Sequence, residues 1–166
     1  MKKLFFILLG FVLLLSSCSK SAKCSFSDSN ASASAAEITY IQDYLTANSI
    51  TATQHSSGIF FHVDDPGTGS TASICSNITV NYTGNLLATG AVFGSDNSAA
   101  GISFILGQLI LGWQKGMPLI KSGGTVTLYI PPSLGYGSHD RTDEFGAIVI
   151  PANSYLKFSI HLLDVQ

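Results

Sequence analysis

The sequence predicts an α+β domain in which an antiparallel sheet curls around one short helix, with an extra helix ahead of it. Three observations carry that expectation. Residues 78–82, 125–130 and 156–162 alternate apolar with polar side chains, the period of strands with one buried and one wet face. The apolar run between Phe104 and Gly112 is short, bounded by glycines and interrupted by Gln108, which fits a strand end leading into a short helix over residues 109–115. From residue 31 to 48 the spacing changes to three and four, so Ile38, Ile41 and Leu45 share one stripe with Tyr44 beside it.

The chain opens with the basic Met1-Lys2-Lys3, an apolar run over residues 4–15 broken only by Gly10, and small residues directly before a cysteine in Leu15-Ser16-Ser17-Cys18. This looks like a bacterial lipoprotein signal, because the run is shorter than the about 20 apolar residues that span a bilayer. The alternatives are a retained signal anchor and an ordinary signal peptide. Cleavage before Cys18 leaves that residue to carry lipid, and several acyl chains anchor far more tightly than one. The expected location is the bacterial cell envelope, at the outer membrane facing the periplasm, since Ser19 carries no obvious retention signal.

Loss of residues 1–17 leaves 149 of 166 residues, enough for one domain with a proper core. It also lowers Lys+Arg from 8 to 6 against Asp+Glu of 10, a formal charge of −4. No basic patch for nucleic acid remains. Residues 18–34 are rich in Ser, Ala, Lys and Asn and read as a flexible tether. Residues 35–57 hold the N-terminal helix and a linker, and residues 58–166 the main domain. Cys24 and Cys75 in an oxidising compartment permit one disulfide, closing a loop of about 50 residues; the alternative is two independent thiols.

In the first helix, Ser32 or Ser34 suits the N-cap and Asn48 the C-terminal cap. One short apolar stripe serves a single contact, so the helix is expected to pack on its own domain rather than to dimerise or hold a client. Gly58-Ile59-Phe60-Phe61-His62-Val63 reads as a strand, ending in the turn Asp64-Asp65-Pro66-Gly67.

Val80-Asn81-Tyr82-Thr83-Gly84, Val92-Phe93, Gly112-Trp113, Tyr136-Gly137, Ile150-Pro151 and Leu156-Lys157-Phe158 follow in fixed order. That series resembles the FKBP family of peptidyl-prolyl cis/trans isomerases, over roughly residues 58–165. The resemblance implies an aromatic pocket that isomerises X-Pro bonds of exported proteins, with no cofactor and no metal. By position it implies Trp113 as the floor, Tyr82, Phe93 and Phe158 as walls, and Tyr136 as hydroxyl donor. Leu109 and Ile110 line the pocket, with the Ile110 N–H presented to a substrate carbonyl, and Val149 and Ile150 close the far side. The implied partners are proline-containing segments of unfolded proteins, and the chain is expected to act as a monomer.

Three departures stand out. Phe93-Gly94 occurs where the family usually reads Phe-Asp, so a lining carboxylate is missing, with Asp96 two residues on as a partial substitute. Ile102 stands where an aromatic wall is common. The connection over residues 107–112 is short and the loop over 138–147 is long. A pocket that keeps its shape but turns over slowly is implied, with an FKBP-like peptide-holding chaperone as the alternative.

Other motifs carry less. Gly67-Thr68-Gly69-Ser70 lacks the lysine and helix of a phosphate loop. His139-Asp140 with Asp143-Glu144 reads as solvated loop charge rather than a cation site. His55, His62, His139 and His161 have no nucleophile motif beside them. The two Asn-x-Thr patterns at Asn77 and Asn81 fall within expected strands.

Overall fold

The computed structural model describes residues 24–166, so Cys18 and the expected signal lie outside the described residues. Among the described residues, two α-helices, α1 (Ala35–Ala47) and α2 (Leu111–Gly116), accompany nine strands. The strands are β1 (Thr53–Gln54), β2 (Phe60–Asp65), β3 (Asn77–Leu86), β4 (Val92–Asp96), β5 (Ile102–Ile105), β6 (Thr125–Ile130), β7 (Arg141–Thr142), β8 (Ile148–Ile150) and β9 (Leu156–Val165). All pairings are antiparallel, in the order β1-β2-β6-β9-β3-β4, while β5 pairs with the first residues of β3 and β7 pairs only with β8. The fold is the α+β class expected, an antiparallel sheet curled around a short helix.

Alternation decides which side chains enter the curl. Ile78 and Val80 of β3, Val126, Leu128 and Ile130 of β6, and Leu156, Phe158, Ile160 and Leu162 of β9 are buried and share one core cluster with Trp113 of α2 and Met117 directly after it. Phe60 and Tyr129 point through the other face, where they meet Ile41 and Leu45 of α1 and Leu87. The apolar stripe of α1 therefore packs on its own domain.

Local chemistry sets the helix ends. α1 begins at Ala35 because Ser34 and Glu37 form a capping box: the Glu37 N–H donates to Ser34 Oγ, and the Ser34 N–H donates to Glu37 Oε2 at 2.9 Å. Its end is closed by Asn48, whose Nδ2 donates to the Tyr44 carbonyl at 2.8 Å. α2 starts two residues later than its apolar run suggests. The chain first makes a 3₁₀ turn over Leu106–Gln108 and then extends at Leu109 and Ile110. Gln114 holds that extended stretch by donating from Nε2 to the carbonyl of Leu109 at 2.7 Å.

Residues 24–34, expected as free tether, have no regular structure but are held at three points. Cys24 is disulfide-bonded to Cys75, with Cα atoms 5.7 Å apart. Phe26 lies against Gly107, where the missing side chain leaves room for the ring. The Ala33 N–H donates to the Ser57 carbonyl at 2.8 Å. The reason is covalent and steric: a bonded Cys24 brings the phenyl ring of Phe26 within reach of the body.

Two consequences are measurable. The disulfide closes a loop of 51 residues, so replacing both cysteines by alanine is expected to lower unfolding free energy by roughly 2–4 kcal/mol. An unchanged urea midpoint would contradict that. Burial raises the Glu37 pKa, but hydrogen bonds from Ser34 and Ser133 outweigh it and hold the carboxyl below its ordinary 4.5. A depressed folded-state value stabilises above the unfolded value and is lost as pH falls through the folded one. Glu37→Gln should therefore flatten the acid side of the stability profile below about pH 4.5 and leave neutral-pH slopes unaltered, as read from unfolding midpoints across pH.

Candidate functional site

A cleft of about 300 Å³ opens where β3, β4 and β9 curl over the start of α2, at the lower end of the size range of small-ligand sites. Its floor is the indole of Trp113, 4% exposed. Three rings meet that indole edge-on: Phe158 at 5.3 Å and 87°, Tyr82 at 5.7 Å and 80°, and Phe104 at 6.3 Å and 82° between centroids and planes. Phe93 stands edge-on to Phe158 at 5.4 Å. Edge-to-face pairs of this kind contribute about 0.5–1.5 kcal/mol each beyond buried area, so the walls are braced before anything binds.

The backbone explains why these rings converge. Tyr82 and Phe158 occupy inward positions of neighbouring strands, and Gly84 pairs with Phe158 on one side and Gly94 on the other. A Cβ on Gly84 would come within 2.5 Å of the Phe93 ring, so the glycine makes the space that the ring fills. Phe93 is the unpaired residue between the Gly84/Gly94 and Asn85/Val92 pairs, a bulge that turns its side chain into the cleft.

At the rim, Leu109, Ile110, Tyr136 and Ile150 complete the lining. The Ile110 carbonyl accepts from Trp113 and Gln114, while its N–H has no protein acceptor among the described residues. Tyr136 lies under the Arg141 guanidinium, 5.1 Å from ring centroid to Cζ. Burial and the Tyr82 hydroxyl push the Tyr136 pKa above its ordinary value, against the downward pull of Arg141. Its hydroxyl thus keeps its proton at neutral pH and remains a donor.

The structure brings eight of the sequence-derived site residues to one cleft: Tyr82, Phe93, Leu109, Ile110, Trp113, Tyr136, Ile150 and Phe158. Two do not reach it. Ile102 is 37% exposed and outside the lining; the aromatic wall is supplied by Phe104, nearer the turn into α2. Val149 points the other way from Ile150 along β8 and packs half-buried on the core. Phe104 was missed because its place at the edge of an apolar run hid its phase; the shared face of residues 102 and 104 on a strand was the available signal.

Asp96 does not replace the missing carboxylate. Its Oδ1 accepts from the Ser98 N–H at 3.1 Å, from the Ser98 hydroxyl at 2.9 Å and, longer, from Asn81 Nδ2 at 3.4 Å, and it does not line the cleft. In the long loop, Asp143 accepts from the Phe145 and Ala147 N–H groups and closes a local turn, while Asp140 accepts from the Ala152 N–H and ties the loop to the segment after β8. Among the described residues no three His, Cys, Asp or Glu side chains gather closely enough to hold a metal.

Fold and cleft together define a class: a small α+β domain with one largely aromatic cleft of about 300 Å³ on the concave face of its sheet. The chain belongs to the FKBP-type peptidyl-prolyl cis-trans isomerase family, whose model matches residues 69–163. It is 42% identical over 112 residues to FkpA of Buchnera aphidicola subsp. Schizaphis graminum, covering 67% of this chain and 42% of that one. With FkpA of Escherichia coli K12 the identity is 36% over 111 residues, covering 67% and 39%. The crystal structure of Escherichia coli FkpA superposes with a TM-score of 0.65 at 32% identity, over 80% of this chain and 60% of that one. That of AtFKBP13 gives 0.61 at 31%, over 70% and 99%. The chain spans about two fifths of the length of these FkpA relatives.

Gly94 offers a direct test. A Cβ there would sit 3.5 Å from the Tyr82 hydroxyl, in ordinary contact, so Gly94→Asp should fit and let Tyr82 donate to the new carboxylate. Isomerisation of an X-Pro peptide is expected to speed up severalfold with the unfolding midpoint held; no gain in rate would show that the carboxylate is not what limits the cleft.

Proposed function

We propose that the cleft catalyses cis/trans isomerisation of X-Pro bonds in unfolded polypeptides. The observation that carries this reading is the braced indole floor: Trp113 is fixed edge-on by Phe158, Tyr82 and Phe104 beneath an opening of about 300 Å³. X-Pro rotation is slow because amide resonance must be broken, a barrier of about 18–20 kcal/mol. The twisted amide is less dipolar than the planar one, so a water-poor slot favours it. Every 1.4 kcal/mol removed gives about tenfold in rate.

The residues divide that work. Trp113, Phe158 and Phe93 hold the pyrrolidine ring out of water, and Tyr82 closes one wall. The unengaged Ile110 N–H and the protonated Tyr136 hydroxyl donate to substrate carbonyls and fix the amide's orientation, so little ordering is left for the moment of rotation. Leu109, Phe104 and Ile150 complete the apolar surround. No nucleophile, metal or cofactor takes part in this scheme.

The substrates are proline-containing segments of exported proteins, whose folding includes slow X-Pro steps. The chain acts as a monomer at the bacterial cell envelope, held by lipid on Cys18 at the outer membrane and facing the periplasm. The basic start, short apolar run and small-small-Cys ending of residues 1–18 support that location. A second reading, a module that holds such segments with little turnover, is favoured by Gly94, which leaves the lining without a carboxylate.

The two are separated by following cis/trans exchange of short X-Pro peptides by NMR with the mature chain. Exchange well above the uncatalysed rate is expected, reduced at least tenfold in Trp113→Ala. Because that substitution also cuts into the core, Tyr136→Phe is the milder companion. It should lower kcat/KM severalfold without moving the unfolding midpoint, since among the described residues the Tyr136 hydroxyl makes no hydrogen bond. Saturable peptide binding without acceleration would overturn the enzyme reading in favour of the holding module.

A further inference from the structure

α1 precedes the segment that defines the family, residues 69–163, yet its first turn grips the stretch that carries Tyr136. Glu37 Oε1 accepts from the Ser133 N–H at 2.9 Å, and Glu37 Oε2 accepts from the Ser133 hydroxyl at 3.0 Å. The same Oε2 accepts from the Ser34 N–H and hydroxyl, each at 2.9 Å. One carboxylate thus closes the cap of α1 and clamps a turn 96 residues away in sequence.

The clamped group matters because of what its other end does. The Ser133 N–H and the Pro132 carbonyl belong to one peptide unit. That carbonyl accepts from the N–H groups of Gly135 at 3.0 Å and Gly137 at 2.9 Å, the residues on either side of Tyr136. Both flanking residues are glycines, and Gly137 sits at φ +65°, so the local chain has little conformational restraint of its own. The carboxylate polarises and fixes the peptide unit from which both glycines hang. A second contact reinforces the first: Tyr40, on the next turn of α1, stacks on Tyr155 at 3.9 Å and 18°. The Tyr155 segment is tied to the tyrosine loop by the Asn153 N–H donating to the Gly137 carbonyl at 2.8 Å.

We propose that Glu37 is a positioning residue for the cleft: through the Pro132-Ser133 peptide unit it holds the Tyr136 hydroxyl in place for the substrate. This rests on the reading of the cleft as an X-Pro site. It gives α1 a task beyond covering the outer face of the sheet, and makes the helix part of the working unit.

A double-mutant cycle on the mature chain tests it. Glu37→Ala is expected to lower kcat/KM for an X-Pro peptide about three- to tenfold, with little further loss when added to Tyr136→Phe. Glu37→Gln, which keeps one acceptor oxygen, should recover part of the rate. Equal losses in both backgrounds would mean a general structural effect and overturn the proposal. Amide hydrogen exchange supplies a readout that needs no catalysis: the Gly135 and Gly137 amides should exchange faster in Glu37→Ala than in wild type. Unchanged exchange at both would overturn the brace even in an active enzyme. Failure of wild type to accelerate isomerisation would sink the isomerase reading alone, leaving exchange to judge the brace.

Discussion

The close approach of α2 to the concave face of the sheet is the constraint on which the rest depends. A Cβ at Gly112 would come within 2.5 Å of the Ile130 side chain, and one at Gly116 would run into Leu128. Only with both positions bare can a six-residue helix lie flat enough for the residue between them, Trp113, to become a floor rather than a plug. Interiors are packed too densely to absorb an extra methyl group here without moving the helix. Gly84 plays the matching part on the sheet by leaving room for Phe93.

From that contact the cleft follows with little freedom. The indole is buried on its underside by the core and gripped edge-on by three rings, so the slot exists before a ligand arrives. A preformed slot costs little ordering on binding. The donors are placed by quite different means. The Ile110 N–H is left open because the chain extends between a 3₁₀ turn and α2, and Gln114 keeps it extended. Tyr136 hangs between two glycines and takes its restraint from outside, from α1 and the loop after β8. The rigid half of the site therefore comes from hydrophobic packing and the adjustable half from hydrogen bonds across the fold.

The pattern of legibility has the same division. Strand alternation made β3, β6 and β9 readable, with the positions of Tyr82 and Phe158 on their inward faces, because a two-residue period survives in sequence when one face is buried. The serines ahead of the apolar stripe made the start of α1 readable to within one choice of cap, Ser32 or Ser34, and the structure uses Ser34. The family series brought the helix-borne Trp113 and the loop-borne Tyr136 into the same picture, where spacing alone would have left them as core. What escaped was set by irregular geometry. Of the two same-face residues of β5, Phe104 and not Ile102 reaches the indole, and the phase of β8 turns Val149 away while Ile150 faces in. Asp96 is drawn into its own turn by Ser98. The clamp from Glu37 to Ser133 was invisible because contacts separated by 96 residues leave no periodic trace.

The central claim is that X-Pro segments bind on the Trp113 floor. With a single tryptophan in the chain, its indole N–H gives one side-chain NMR signal, and titration with a short X-Pro peptide reports directly on that floor. A saturable shift of the indole signal, absent with the matching X-Ala peptide, is the result expected. An indole signal that stays put while the peptide perturbs resonances elsewhere would place binding outside the cleft and contradict it.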